Sequence, residues 1–179
     1  DQNYFVYHYN LDYSCPFGFC ADPDVVFFAN AGKNPQRSLD KGITWSPISM
    51  TLETGERIKY WVPNSADPNK IFCATSHHLL KTTDKGATWT ACDIAGAARG
   101  TFFDQPSGHI YHATPAGIFR SSDAGQTFSL YHAPAILPLH AFAAGRDAHG
   151  VTLAYVDGDG ANAVGPWIAQ YVAIGRQND

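Results

Sequence analysis

Two adjacent histidines, His77 and His78, are the residues best suited to move protons or bind a metal. An imidazole titrates near neutrality, so it serves as general acid, general base or ligand without burial. Successive strand residues point to opposite faces, so at most one of the two faces a shared site if the strand continues through them. Tyr131, His132 and His140 form a second group of the same kind. Arg57, Arg99 and Lys33 offer positive charge for an anionic substrate, and Glu53, Glu56 and Asp93 offer carboxylates. The run Asp157-Gly-Asp159-Gly offers the oxygen ligands that hard cations prefer, so Ca2+ is the cofactor to expect there. It lacks the full EF-hand pattern and its bidentate Glu. Trp61 and Trp167 are aromatic surfaces suited to a sugar ring or to a core. No Cys/His spacing of a zinc finger occurs.

What must position these residues is a repeat. Three copies of one motif organise the chain: SLDKGITW at Ser38–Trp45, TTDKGATW at Thr82–Trp89 and SSDAGQTF at Ser121–Phe128. Their Asp residues, Asp40, Asp84 and Asp123, lie 44 and 39 residues apart. A period of this size marks units that each bury an apolar face against the next. A basic residue stands three places before each Asp: Arg37, Lys81 and Arg120. Arg176 stands three before Asp179, which reads as the start of a fourth motif in a longer or only partly represented chain. The carboxylate can close a tight turn by accepting backbone N–H groups, and the Gly permits positive φ.

On these motifs the chain resembles the Asp-box (BNR) repeat proteins, from roughly Ala21 onward. These are β-propellers that include sialidases, xyloglucan-degrading hydrolases, some polysaccharide lyases, photosystem assembly factors and sortilin-type receptors. The resemblance implies an all-β propeller segment of four-stranded antiparallel blades, with Asp40, Asp84, Asp123 and Asp179 as structural turn residues rather than catalytic ones.

Aligning the repeats lays strands A to D on each blade. Asp22, Asp67, Asp104 and Asp147 mark the A–B turns. Strand B follows at Val25–Ala29, Lys70–Thr75, His109–Thr114 and Val151–Val156, rich in β-branched and aromatic residues. Strand C is Leu79–Thr82, Gly117–Ser121 and Gln170–Arg176, and strand D is Thr44–Ser49, Thr88–Cys92 and Thr127–Tyr131. Tyr4–Tyr9 alternates and reads as a blade-completing strand, a device that removes an open sheet edge. Ile94–Ala98 reads as a loop. The blades then run over about residues 13–49, 56–92 and 99–131, with a partial blade over 139–179. Box turns and A–B turns share one end of each blade, so His109 and His149 fall with the turns. His77, His78, Arg99, His132 and His140 fall at the other end, with the long loop Asp157–Trp167, where function tends to sit.

Composition sets the remaining bounds. The chain has 179 residues, 45% hydrophobic, with net charge −4 and no Lys/Arg cluster, which disfavours nucleic acid. No apolar run approaches the ~20 residues of a membrane span. The start at Asp1-Gln2-Asn3 suits a mature secreted protein, extracellular or periplasmic, or a fragment. A bridge between Cys15 and Cys20 would close the short Pro-Phe-Gly-Phe loop. Cys73 and Cys92 would lie two strands apart, ~9–10 Å, beyond the ~7 Å limit for a disulfide.

Within the class that the resemblance implies, the partner is a polysaccharide or oligosaccharide. The sialidase pattern is not met, since Arg57-Ile58 is followed by Lys59 rather than Pro. A hydrolase needs two opposed carboxylates, for which Asp93 with Asp157 or Glu56 qualify. A lyase needs a cation beside a uronate and a His or Tyr to take the C5 proton. The inventory His77, His78, Tyr131, His132 and His140, with Arg57, Arg99, Lys33 and Trp167 binding substrate, favours the lyase. The glycoside hydrolase and a non-catalytic binding or assembly propeller are the alternatives.

Overall fold

The computed structural model describes residues 17–29, 34–64, 67–134, 138–147 and 150–157. Among them there is no helix. Tyr4–Tyr9, Cys15, Lys33, His149, Asp159, Trp167, Gln170–Arg176 and Asp179 lie outside the described residues. The rest falls into two compact units.

The first unit comprises the described part of Asp12–Ala98 with Gly125–Thr127. It holds two sheets. One runs β1 (Phe17–Phe19), β2 (Val26–Phe28), β3 (Gln36–Ser38) and β4 (Ser46–Pro47) in order. The other runs β5 (Ile58–Pro63), β6 (Ile71–Thr75), β7 (His78–Thr82) and β8 (Thr90–Ala95) in order. All neighbours are antiparallel. β6 is buried along its whole length, which is why its sequence IFCAT shows no polar alternation. The two sheets close on a core of Val25, Phe27, Ile48, Trp61, Ile71, Cys73 and Leu80. Trp61 is therefore core, stacked on Phe27 at 5.0 Å, and is not an exposed sugar platform.

The second unit comprises Arg99–Ala124 and the described part of Phe128–Asp179. Its four-stranded sheet holds β9 (Gly100–Asp104), β10 (His109–Thr114), β11 (Gly117–Ser121) and β12 (Ser129–His132). A hairpin of β13 (Leu139–Asp147) and β14 (Gly150–Asp157) packs Phe142, Leu153 and Tyr155 against Tyr111 and Ile118. Buried Asp104 receives Arg146 Nε at 2.5 Å and Nη2 at 2.7 Å, and also Ser107 Oγ.

The repeated motif forms the turn between the third and fourth strand of each four-stranded sheet. Asp40 Oδ1 accepts Thr44 N–H at 2.8 Å and Oδ2 accepts the Thr44 hydroxyl at 2.6 Å. Asp84 repeats this with Thr88 at 2.9 and 2.7 Å. The hydroxyl two residues before accepts the glycine N–H: Ser38 from Gly42 at 2.8 Å and Thr82 from Gly86 at 2.9 Å. Two successive residues take left-handed φ in every copy, namely Lys41 and Gly42, Lys85 and Gly86, and Ala124 and Gly125. The indole N–H of Trp45 and of Trp89 caps the glycine carbonyl. Bonds from Thr44, main chain and hydroxyl, hold the Asp40 carboxyl at about 2. Burial pushes Asp84 up, but its bonds to Thr88 and Thr82 outweigh that and hold it at about 2 as well.

The first-to-second strand turn sits beside this turn in both sheets of the first unit. Lys41 N–H bonds Asp24 O at 3.0 Å and Lys85 N–H bonds Asn69 O at 3.1 Å. The fourth strands start later than the sequence suggests, because Thr44 and Thr88 are consumed by the turn. β8 also runs on to Ala95, so Ile94–Ala98 is half strand rather than all loop. Cys20, Cys73 and Cys92 are free thiols; Cys73 on β6 and Cys92 on β8 are separated by β7, as expected, and no bridge involves Cys20.

Candidate functional site

The polar centre of the first unit lies at the end of the second sheet opposite its motif turn. The segment leading into β5 makes a single turn in which Glu56 N–H bonds Glu53 O at 3.0 Å, so both carboxylates point toward the β6–β7 connection. That connection is Ser76-His77. It is tightened by Thr75 Oγ1, which accepts the N–H of His77 at 3.1 Å and of His78 at 2.7 Å. Thr75 is wholly buried and its hydroxyl also lies against Glu56 Oε1.

Glu56 is the anchor, with its side chain only 1% exposed. Its Oε2 accepts Glu53 N–H at 2.8 Å, and its Oε1 lies 3.1 Å from His78 Nδ1. Burial pushes its carboxyl up, but the bonds from Thr75, the Glu53 main chain and His78 outweigh that and hold it below the usual range. Glu56 is therefore ionised at neutral pH and can only accept. His78 Nδ1 must therefore donate to Glu56, and Nε2 is the ring nitrogen turned toward Glu53. Glu53 Oε1 lies 3.7 Å from that Nε2, and Glu53 Oε2 lies 3.1 Å from His77 Nδ1. One imidazole thus stands between a buried carboxylate and a solvent-facing one whose side chain is 64% exposed.

A cleft of ≈ 310 Å³ opens beside this group. Glu53, Glu56, His78 and Thr51 line its polar part; Met50, Leu80, Trp89 and Ala91 line the apolar part. No described residue lining it is Lys or Arg. Among the described residues no group of three or more His, Cys, Asp or Glu side chains is arranged to hold a metal.

The other residues singled out from the sequence are distributed as follows. Arg57 is exposed beside Glu56, and its backbone N–H bonds Ser76 Oγ at 3.0 Å. Asp93 is exposed on β8. Arg99, Tyr131, His132 and His140 belong to the second unit. There His132 Nε2 lies 3.1 Å from the hydroxyl of buried Tyr155, and Tyr131 packs edge-on against Tyr111 under the Arg120 guanidinium. Asp157 ends β14. Sequence reading found His77 and His78 but missed Thr75 and the anchoring role of Glu56. The usable signal was Glu53-x-x-Glu56 immediately before a strand, which puts two carboxylates on one turn.

No protein-family model and no curated protein matches the sequence. Solved structures do. The chain is similar to YCF48 bound to D1 peptide, at 17% identity and TM-score 0.51, over 77% of this chain and 49% of that one. It is similar to an ancestral GH74 enzyme at 17% identity and TM-score 0.55, over 75% of this chain and 22% of that one. It is also similar to the GH74 xyloglucanase from Xanthomonas campestris, at 14% identity and TM-score 0.53, over 75% and 27%. The chain thus spans about half the length of the first and about a quarter of the two enzymes. No helix among the described residues is long and apolar enough to cross a membrane. The neighbours are β-propellers, and at these identities the likeness is one of fold: the chain is an all-β propeller segment built of four-stranded antiparallel blades.

Proposed function

We propose that this chain is a segment of a glycan-active propeller and that His78 transfers the proton at its site. The observation that carries the reading is one imidazole held between Glu56 at Nδ1 and Glu53 at Nε2. A carboxylate on one ring nitrogen fixes the tautomer and stabilises the imidazolium that forms when the other takes a proton. Met50, Leu80 and Trp89 supply an apolar wall for the face of a sugar ring.

The charge of the cleft selects the substrate class. Two carboxylates with no Lys or Arg among the described lining residues repel a uronate. This supports a neutral glycan and acid–base hydrolysis of a glycosidic bond over β-elimination, which the His/Tyr/Arg inventory of the sequence favoured. The GH74 neighbours support the reading only as a fold that hosts such chemistry. Membership of the Asp-box family and a secreted setting belong to the same proposal.

The test is to incubate the complete protein with neutral and acidic polysaccharides, following reducing ends and the ultraviolet absorbance of an unsaturated uronate. Reducing ends from a neutral glycan without that absorbance support hydrolysis. Absorbance growing on a uronate polymer reinstates β-elimination. Binding without cleavage of any polymer defeats the catalytic role of His78.

A further inference from the structure

Neighbours in a continuing strand point to opposite faces, yet the imidazoles of His77 and His78 both reach one carboxylate. They can because β7 opens at His78, which leaves His77 in the connection before it. The two rings lie 6.3 Å apart at 74° to each other. Glu53 Oε2 lies 3.1 Å from His77 Nδ1, within hydrogen-bond reach. Glu53 Oε1 lies 3.7 Å from His78 Nε2, which is too long for a hydrogen bond. Glu53 is bonded to the first histidine and stands off from the second.

The three side chains differ in what holds them. His77 is fixed through its main chain: its N–H donates to Thr75 Oγ1 at 3.1 Å, and its carbonyl accepts Gly96 N–H at 2.8 Å, just past the end of β8. His78 is fixed by Thr75 at its main chain and by Glu56 at its ring. The Glu53 main chain is tied to Glu56 Oε2, but its side chain is 64% exposed, and among the described residues these two imidazoles are its carboxylate's partners. The carboxylate is the movable part. Released from His77, it gains most by closing on His78 Nε2 in a charge-assisted bond. That bond needs a proton on Nε2. With Nδ1 already donating to Glu56, the ring would then keep no lone pair for a substrate.

We infer that His77 is a positioning residue: it holds Glu53 off His78 and so keeps Nε2 available beside the cleft. This rests on the proposed role of His78. It gives the two adjacent histidines different tasks at one site, His78 moving the proton and His77 restraining the carboxylate that would otherwise block it.

The test follows carbethoxylation of His78 by diethyl pyrocarbonate in the complete protein, assigned by fragment mass spectrometry. The reagent attacks an imidazole nitrogen only through a free lone pair. His77→Leu removes a side chain that is 41% exposed, so the core is untouched, and it slows labelling of His78 by ~10-fold or more. His77→Asn, whose amide N–H replaces Nδ1–H, keeps the parent rate. Glu53→Ala in the His77→Leu chain restores it. Equal labelling of His78 in parent and His77→Leu overturns the inference. So does slow labelling that Glu53→Ala fails to relieve or that His77→Asn shares. No substrate enters this readout, so the two readings fail separately. The expected labelling pattern without cleavage of any glycan upholds the restraint on Glu53 and removes the catalytic role of His78. Glycan cleavage with labelling indifferent to His77 does the reverse.

Discussion

His78 and His112 show how far two identical side chains diverge in one repeat architecture. His78 opens β7, half-buried, between two carboxylates. His112 lies wholly buried on β10, with Thr101 Oγ1 2.8 Å from Nδ1, the Phe128 ring edge-on, and no hydrogen-bond partner for Nε2 among the described residues. Burial alone pushes His112 down to about 3, so it stays neutral at physiological pH. In the proposed reading an imidazole gains chemical use from a carboxylate within reach, and loses it when an apolar core replaces that partner.

The largest expected effect tests that contrast directly. His78→Ala lowers turnover of a neutral glycan by ~10²–10⁴-fold, the usual worth of a general acid/base. His112→Gln leaves activity per folded molecule near that of the parent. Equal losses in steady-state kinetics would dissolve the distinction.

The second test reads His112 through stability. Its folded pKa is depressed below its unfolded value of 6.5, so its contribution is fully present above about pH 6.5 and is lost as pH falls toward 3. At pH 5 the loss is about 2 kcal/mol. Urea unfolding at pH 8 and pH 5 measures it, and His112→Leu flattens that part of the profile. An unchanged slope in the variant would mean another group carries the acid sensitivity.

Burial grades the motif turn in the same way. Thr82 is 3% exposed, and its hydroxyl accepts the buried Gly86 N–H, so Thr82→Val costs ~1–3 kcal/mol. The Asp84 bonds to Thr88 are exposed, so Asp84→Ala costs only ~0.5–1.5 kcal/mol, with activity per folded molecule retained. Thermal or urea unfolding ranks the two, and a costlier Asp84 change would invert the reading. The smallest effect is chemical. Denaturation without reductant exposes Cys73 and Cys92 as two labelled thiols, and a linked peptide would contradict the strand order.

Much of the fold was legible because its signals are local. Ser-x-Asp-x-Gly-x-Thr-Trp specifies a turn through contacts within eight residues, and alternating or β-branched runs specify the strands between turns. Strand starts were missed by two residues at Thr44 and Thr88, since a Thr propensity cannot say whether its hydroxyl serves a turn. The site was half legible. His77 and His78 were visible as a pair, but the groups that hold His78 in place, Thr75 and Glu56, look like an ordinary strand Thr and an ordinary loop Glu. They meet across 19 residues of sequence.

By itself the sequence determined the repeat, the order of strands in the three four-stranded sheets and the end of the sheet on which His77, His78, His109 and His132 fall. Backbone hydrogen bonding and side-chain alternation decide these over short distances. Only the tertiary structure decided that Glu56 is buried and ionised, that Trp61 is core and that His112 is sealed in an apolar site. Each of those depends on which surfaces meet. Desolvation and packing are set by neighbours far away in the chain, which the identity of a residue does not encode.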